Sequence, residues 1–173
     1  MLAGLLLAPG VARADVAPQL IGLFIQGCMP FAGNPGALRA WAAQAGLPAV
    51  PEQARVAFLH GAPGQVFDGS TAEGKLVLVS SDDGICSVVT DQAVQTAVVE
   101  ALEAGLQRAG AAFRLAIERD DKAVPEIHDR EYLATKDGRG WRVLLAAVKG
   151  DKGGEAMLTA APEVDTIPGG KIR

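Results

Sequence analysis

Two cysteines and two histidines, Cys28, Cys86, His60 and His128, are the side chains of this 173-residue chain best suited to nucleophilic or metal chemistry, and their spacing sorts the possibilities. A cysteine-dependent hydrolase or transpeptidase would use Cys86 as nucleophile, His60 or His128 as base and Asp129 or Asp91 to orient the imidazole. Cys86 falls in the run Ile85-Cys86-Ser87-Val88-Val89, which reads as the middle of a strand. Reactive thiols instead sit at helix N-termini or beside a cation that lowers their pKa. A zinc site drawn from Cys28, Cys86, His60 and His128 has four suitable ligands but no close pair, since the nearest two are 26 positions apart. A disulfide needs no such proximity in sequence. One even pair of cysteines in an exported chain is expected to be oxidised to Cys28–Cys86. Closing a loop of roughly 58 residues would stabilise the fold by about 4 kcal/mol in the chain-entropy account.

The other polar cluster is His128-Asp129-Arg130-Glu131. It reads first as one solvated face of an antiparallel strand. With Tyr132 and Trp141 near the Asp137-Gly138 turn it also offers a recognition patch, His128, Arg130, Tyr132 and Trp141, although both aromatics suit a core equally well. The acid pairs Asp82-Asp83 and Asp120-Asp121 are turn residues, too few for a calcium loop. The composition speaks against a large cofactor: 49% of residues are hydrophobic but only 5% are aromatic, so the core is built from small side chains and no cofactor is expected. The net charge of −4, without a basic stripe, repels phosphate backbones and anionic headgroups, which argues against nucleic acid and membrane surfaces as partners.

Positioning these residues falls to a series of short elements. Leu20, Ile21, Phe24, Ile25 and Cys28 fall on one helical face, and Pro30 is expected to stop that helix. Asn34-Pro35 caps a second helix with the stripe Leu38, Trp41, Ala42 and Ala45, closed by Gly46. Pro51 to His60 predicts a third helix with Ala54, Ala57 and Phe58 inward, ended by Gly61, with a strand over 56–59 as the alternative. Pro63-Gly64 and 68–74 read as turns. Leu76–Val79 and Ile85–Val89 predict a hairpin whose two-residue type I′ turn, Asp83-Gly84, sets Val79 opposite Val88. Thr90 or Asp91 is expected to cap a longer helix with Val94, Val98, Leu102 and Leu106 inward, ending at Gly110. From Phe113 onward the period changes to two, predicting an antiparallel meander: Phe113, Leu115 and Ile117, then 127–135, 141–148 and 155–161. The expected fold is one α+β domain over 15–161, with N-terminal helices, a hairpin, one longer helix and a C-terminal meander in one sheet, followed by a flexible tail over 162–173.

The first 14 residues read as a signal peptide: an uncharged apolar stretch followed by Ala12-Arg13-Ala14, with cleavage before Asp15. Twelve helical residues reach about 18 Å against a hydrocarbon core of roughly 30 Å, too short to span it. A basic n-region does not precede the stretch, which leaves two alternatives, a start codon further upstream or the loss of the first residues. Cleavage removes Arg13 and leaves 15 basic against 20 acidic residues, a net −5. Ile25-Gln26-Gly27-Cys28 offers a competing reading as a lipobox that would make an outer-membrane lipoprotein lipidated at Cys28, although Gln26 fits it poorly and Asp15 would put a charge in the hydrophobic stretch.

Trp41-Ala42, Gly46-Leu47, Phe58-Leu59 to Pro63-Gly64, and Gly74-Lys75-Leu76-Val77-Leu78-Val79 leading to Asp83-Gly84-Ile85-Cys86-Ser87-Val88 resemble a set of small exported proteobacterial proteins and lipoproteins of unknown function. The likeness covers about residues 20 to 150. It implies an envelope location and carries over no catalytic residue. The expected role is therefore a periplasmic, non-enzymatic factor that binds another envelope or secreted protein, as an accessory, inhibitor or immunity-like protein; the Cys86 hydrolase and a small-molecule carrier are the alternatives.

Overall fold

A computed structural model describes residues 16–163. The expected signal peptide and most of the C-terminal tail lie outside the described residues. Among the described residues there are four helices, the first interrupted, and one seven-stranded antiparallel sheet, as expected for an α+β fold.

The first helix is where Pro30 matters. α1 (Ala17–Leu23) does not stop before the proline; it passes through a π-helical turn (Phe24–Cys28) into α2 (Met29–Phe31). Proline has no N–H to give, and in an α-helix its ring would strike the carbonyl four residues back. Widening the turn, with the Met29 N–H donating to the Phe24 carbonyl, carries the helix past that point. Leu20, Ile21, Phe24 and Cys28 are buried as their spacing predicts. α3 (Pro35–Gln44) starts as expected, with the Asn34 side chain accepting from the Ala37 N–H at 3.0 Å.

The hairpin of β2 (Val77–Ser81) and β3 (Cys86–Ala93) is one residue out of the predicted register. Leu78 faces Val88, Val79 faces Ser87 and Ser80 faces Cys86. The connection is the three-residue loop Asp82-Asp83-Gly84, in which only Gly84 has a positive φ, 91°, so the type I′ turn does not form. A slip of one exchanges the faces of every strand residue. Leu78, Cys86 and Val88 consequently join the main core, while Val79 joins a small cluster with Leu59 and Val66 on the opposite face.

Two further elements differ from expectation. β1 (Gly64–Asp68), in a stretch where only turns were foreseen, pairs with β2 at the sheet edge. The expected caps Thr90 and Asp91 are strand residues, because β3 runs on to Ala93 and the N-cap of α5 (Gln95–Arg108) is Val94, whose side chain makes no capping hydrogen bond. Pairing β3 against the last strand satisfies backbone groups that a cap would have served only in part.

The sheet order is β1-β2-β3-β7-β6-β5-β4, with β4 (Ala112–Asp120), β5 (Ile127–Lys136), β6 (Arg139–Val148) and β7 (Gly154–Pro162) forming the meander. β7 lies between β3 and β6 and joins the two halves. The inner face packs on α1, α3 and α5 around Leu20, Phe24, Leu102, Leu106, Val143 and Leu158. α1 and α5 cross closely at Gly105, where a Cβ would lie 2.6 Å from Ile21 Cγ2. α4 (Glu52–Leu59) packs on the other face, against β1 and β2.

Cys28 and Cys86 form the disulfide that ties the π-turn to β3, with Cα atoms 5.2 Å apart and both residues fully buried. Cys86→Ser should destabilise the protein by about 2–5 kcal/mol. Urea unfolding checks this: parent and variant should differ under oxidising conditions and coincide, within error, once the parent is reduced.

Candidate functional site

In the disulfide form neither cysteine carries a thiol, so Cys86 has no nucleophile to offer His60 or His128. The two histidines stand apart: His60 is the exposed left-handed C-cap of α4, φ 48°, and His128 lies near the start of β5. Asp91 is an exposed strand residue, and Asp129 sits in β5 opposite Arg119. The four residues of the zinc reading do not converge, and no metal-binding group of three or more His, Cys, Asp or Glu occurs among the described residues. Lipidation at Cys28 would need its sulfur, which is bonded to Cys86, and would remove Leu20, Ile21 and Phe24 from the core.

The residues of the recognition patch divide into two environments. Trp141 is buried on the inner face of β6, and its indole N–H donates to the Met29 carbonyl at 2.7 Å. That carbonyl is left over at the end of α2 because the Gly33 N–H turns away to the Gly84 carbonyl. His128, Arg130 and Tyr132 instead line one face of β5. Tyr132 is buried and donates to Glu103 of α5 at 2.8 Å, while Arg130 donates to Glu118 at 2.6 Å and to the Tyr132 hydroxyl at 3.3 Å.

His128 is held between two carboxylates of β4, Asp120 at 2.9 Å on Nδ1 and Glu118 at 3.1 Å on Nε2. With an acceptor at each ring nitrogen, the imidazolium is the form that satisfies both. The Asp120 hydrogen bond, aided by Glu118, raises the His128 pKa above its ordinary 6.5 against the opposing effect of burial. The same contacts lower Glu118 and Asp120, each chiefly through His128 and then through Arg130 or Lys149 respectively. Every donor here is matched by an acid of the same chain, except that Arg130 Nε is buried without a partner. The arrangement fastens β4 to β5 and α5.

A different site lies on the outer face, lined in part by His60 and Asp91, which the sequence offered only as partners of Cys86. α4 covers β1 and β2 only. Beside it is an open cleft of about 540 Å³ with Val77, Val89 and Met157 as its floor and Ala57 and Phe58 as its wall. The registers place Val77, Val89, Met157 and Ala146 in one row across β2, β3, β7 and β6, and Val79, Ser87, Thr159 and Leu144 in the next. Met157, Ala146 and Leu144 are half-buried. Ala54 and Ala57, expected inward, are exposed; Leu59 makes the buried contact and Phe58 is only half-covered. Of the α4 stripe, Phe58 packs with Val77 and Val89 on the cluster of Leu59, Val66 and Val79, while Ala54 and Ala57 stay exposed.

Comparisons of the chain with protein-family models, with curated proteins and with solved structures each found no match.

The His128 contacts set a pH dependence whose sign follows from linkage. A pKa raised on folding adds stability that is full below the unfolded value of 6.5 and is lost as pH rises through the higher folded value. The lowered Asp120 and Glu118 add stability above their ordinary range that is lost as pH falls through their folded values. The network should therefore contribute most between about pH 5 and 6.5. Melting temperature should fall as pH rises from 6 to 9, His128→Gln should flatten that fall, and an NMR titration of His128 with a midpoint at or below 6.5 would contradict the bridged geometry.

Proposed function

We propose that this chain is an exported, non-enzymatic binding protein of the cell envelope, which holds another envelope or secreted protein against the outer face of its sheet as an accessory, inhibitor or immunity-like factor. The carrying observation is the one-sided coverage of that sheet. Three helical elements fill the inner face, whereas the outer face has α4 over two strands and then the half-buried apolar row Val89, Met157 and Ala146, bordered by the hydrogen-bonded hydroxyls of Ser87 and Thr159. Isolated exposed apolar residues are ordinary, but a contiguous row rimmed by polar groups is the mark of an interaction surface. A buried disulfide suits an oxidising compartment, and among the described residues no helix is long and apolar enough to cross a membrane. The cleft of about 540 Å³ supports a second reading, a carrier of a small apolar molecule, because its size falls within the range of ligand sites.

Two measurements test the proposal. The protein recovered from the envelope of its own organism should have an intact mass that begins at Asp15 and rises by about two daltons on reduction, one for each sulfur that gains hydrogen. Capture under mild cross-linking should recover a stoichiometric partner, and Leu144→Arg, on the outer face, should lower its recovery at least about tenfold, the size of a 1.4 kcal/mol loss. Melting should change little. A reproducibly empty capture, or one indifferent to Leu144→Arg, would count against the reading.

A further inference from the structure

The outer cleft has the dimensions and chemistry of a seat for one more helix. In layered folds an apolar sheet face is covered by helices, each about 10 Å across, and two strand spacings of about 4.8 Å match that width. α4 occupies the place over β1 and β2; the adjoining place, over β3 and β7, is the cleft. Its side wall is Ala57, exposed, and the side of Phe58 that the Leu59, Val66 and Val79 cluster leaves half-covered. Ala57 permits close approach there, and Phe58 overhangs the Val77, Val89 and Met157 floor. Methionine on that floor adapts its shape to an incoming side chain.

One end of the seat is acidic. β3 and β7 lose register between Thr90 and Ala93, so that Asp91 and Gln92 together face Glu155. Such a bulge re-aims side chains. Asp91 and Glu155 both line the cleft and are exposed, and neither has an ion-pair partner among the described residues, although Lys75 and His60 also reach its mouth. Facing like charges across a strand pair are unfavourable unless a cation joins them. The contrast with the other end of the sheet is direct: there Glu118 and Asp120 are matched by His128, Arg130 and Lys149. Asp91 and Glu155 have Lys75 in the same cleft but no ion pair with it.

We infer that the cleft receives an amphipathic helix of the partner protein, laid beside α4 with its apolar stripe on Val77, Val89 and Met157 and a basic residue at its end between Asp91 and Glu155. This rests on the protein-binding reading above and names the chemistry of what is bound. Phe58 and Met157 are its apolar anchors; Asp91 and Glu155 set direction and specificity more than affinity.

Fluorescently labelled peptides test it on the purified full chain. One probe is an amphipathic helix of about 15 residues with a Leu/Ala stripe and two terminal arginines; the other carries two glutamates in their place. The arginine peptide should bind roughly three- to tenfold more tightly, the factor expected of one or two exposed ion pairs. Asp91→Asn with Glu155→Gln should remove that preference without changing the melting temperature, and Met157→Glu should lower binding of both peptides. Equal affinity for the two peptides in the parent overturns the inference. Failure of both peptides, with Leu144→Arg still abolishing partner capture, overturns the helix and leaves the protein-binding reading standing. Empty capture with intact peptide preference instead removes the support for a natural protein partner while the seat itself is upheld. Saturable binding of dodecyltrimethylammonium with no peptide binding overturns the inference in favour of a small-molecule site.

Discussion

A proline inside a helix sets much of this structure. Pro30 cannot donate an N–H, and the π-turn that accommodates it displaces the next residues of the chain from the path of a regular helix. Three fastenings gather around that turn. Cys28, its last residue, reaches Cys86; the Met29 carbonyl, freed at the helix end, accepts from Trp141 on β6; and Gly33 donates to Gly84 at the tip of the β2–β3 loop. Gly84 touches Gly33 so closely that a Cβ would lie 2.8 Å from the Gly33 Cα. Helix, hairpin and meander thus meet at one junction, through a covalent bond, a buried hydrogen bond and a glycine contact, none of which reaches far alone.

How much of this was legible depended on whether the signal was local. The α3 cap was, because Asn34 and Pro35 act within one turn. The inner stripe of α1 was, because period 3.6 survives a π-turn of five residues. The hairpin register was not: Asp83-Gly84 suits a two-residue turn, but Asp83 keeps a negative φ and Gly84 alone adopts the left-handed conformation. What selects that loop is burial of Leu78 and Cys86 on the inner face, a tertiary preference. Thr90 resembled a cap and became a buried strand residue for a similar reason, its backbone claimed by Ala156 of β7. β1 escaped notice because Gly64–Asp68 holds two apolar residues, Val66 and Phe67, that point to opposite faces.

The candidate sites show the same division. The Cys28–Cys86 pairing followed from parity and compartment, with no geometry required. His128, Arg130 and Tyr132 share one face of β5, but the acids that hold them belong to β4 and α5, whose approach no spacing announces. Trp141 belonged elsewhere, although it sits only nine positions from Tyr132, because its β6 register places it opposite Ala134 above the end of α2. The outer cleft had His60 and Asp91, offered by the sequence only as partners of Cys86, and one apolar sign. Ala54, Ala57 and Phe58 mark an apolar stripe on α4, but whether such a stripe is satisfied within the chain is a question only the packing answers.

The placing of β7 makes the sheet a structure that closes from its end. Until residues 154–162 arrive, β3 and β6 are two bare edges, one on the hairpin half and one on the meander half, with no strand of earlier sequence between them. Val88 then meets Leu158 across 70 positions of chain, a long-range contact of the kind that slows folding. A nascent chain still missing its last strand has its disulfide partners in hand but cannot complete its core, and its two open edges are the places where it would pair with the wrong neighbour. The order in which the polypeptide emerges is therefore built into the topology: the first nine-tenths of the chain waits on the final strand.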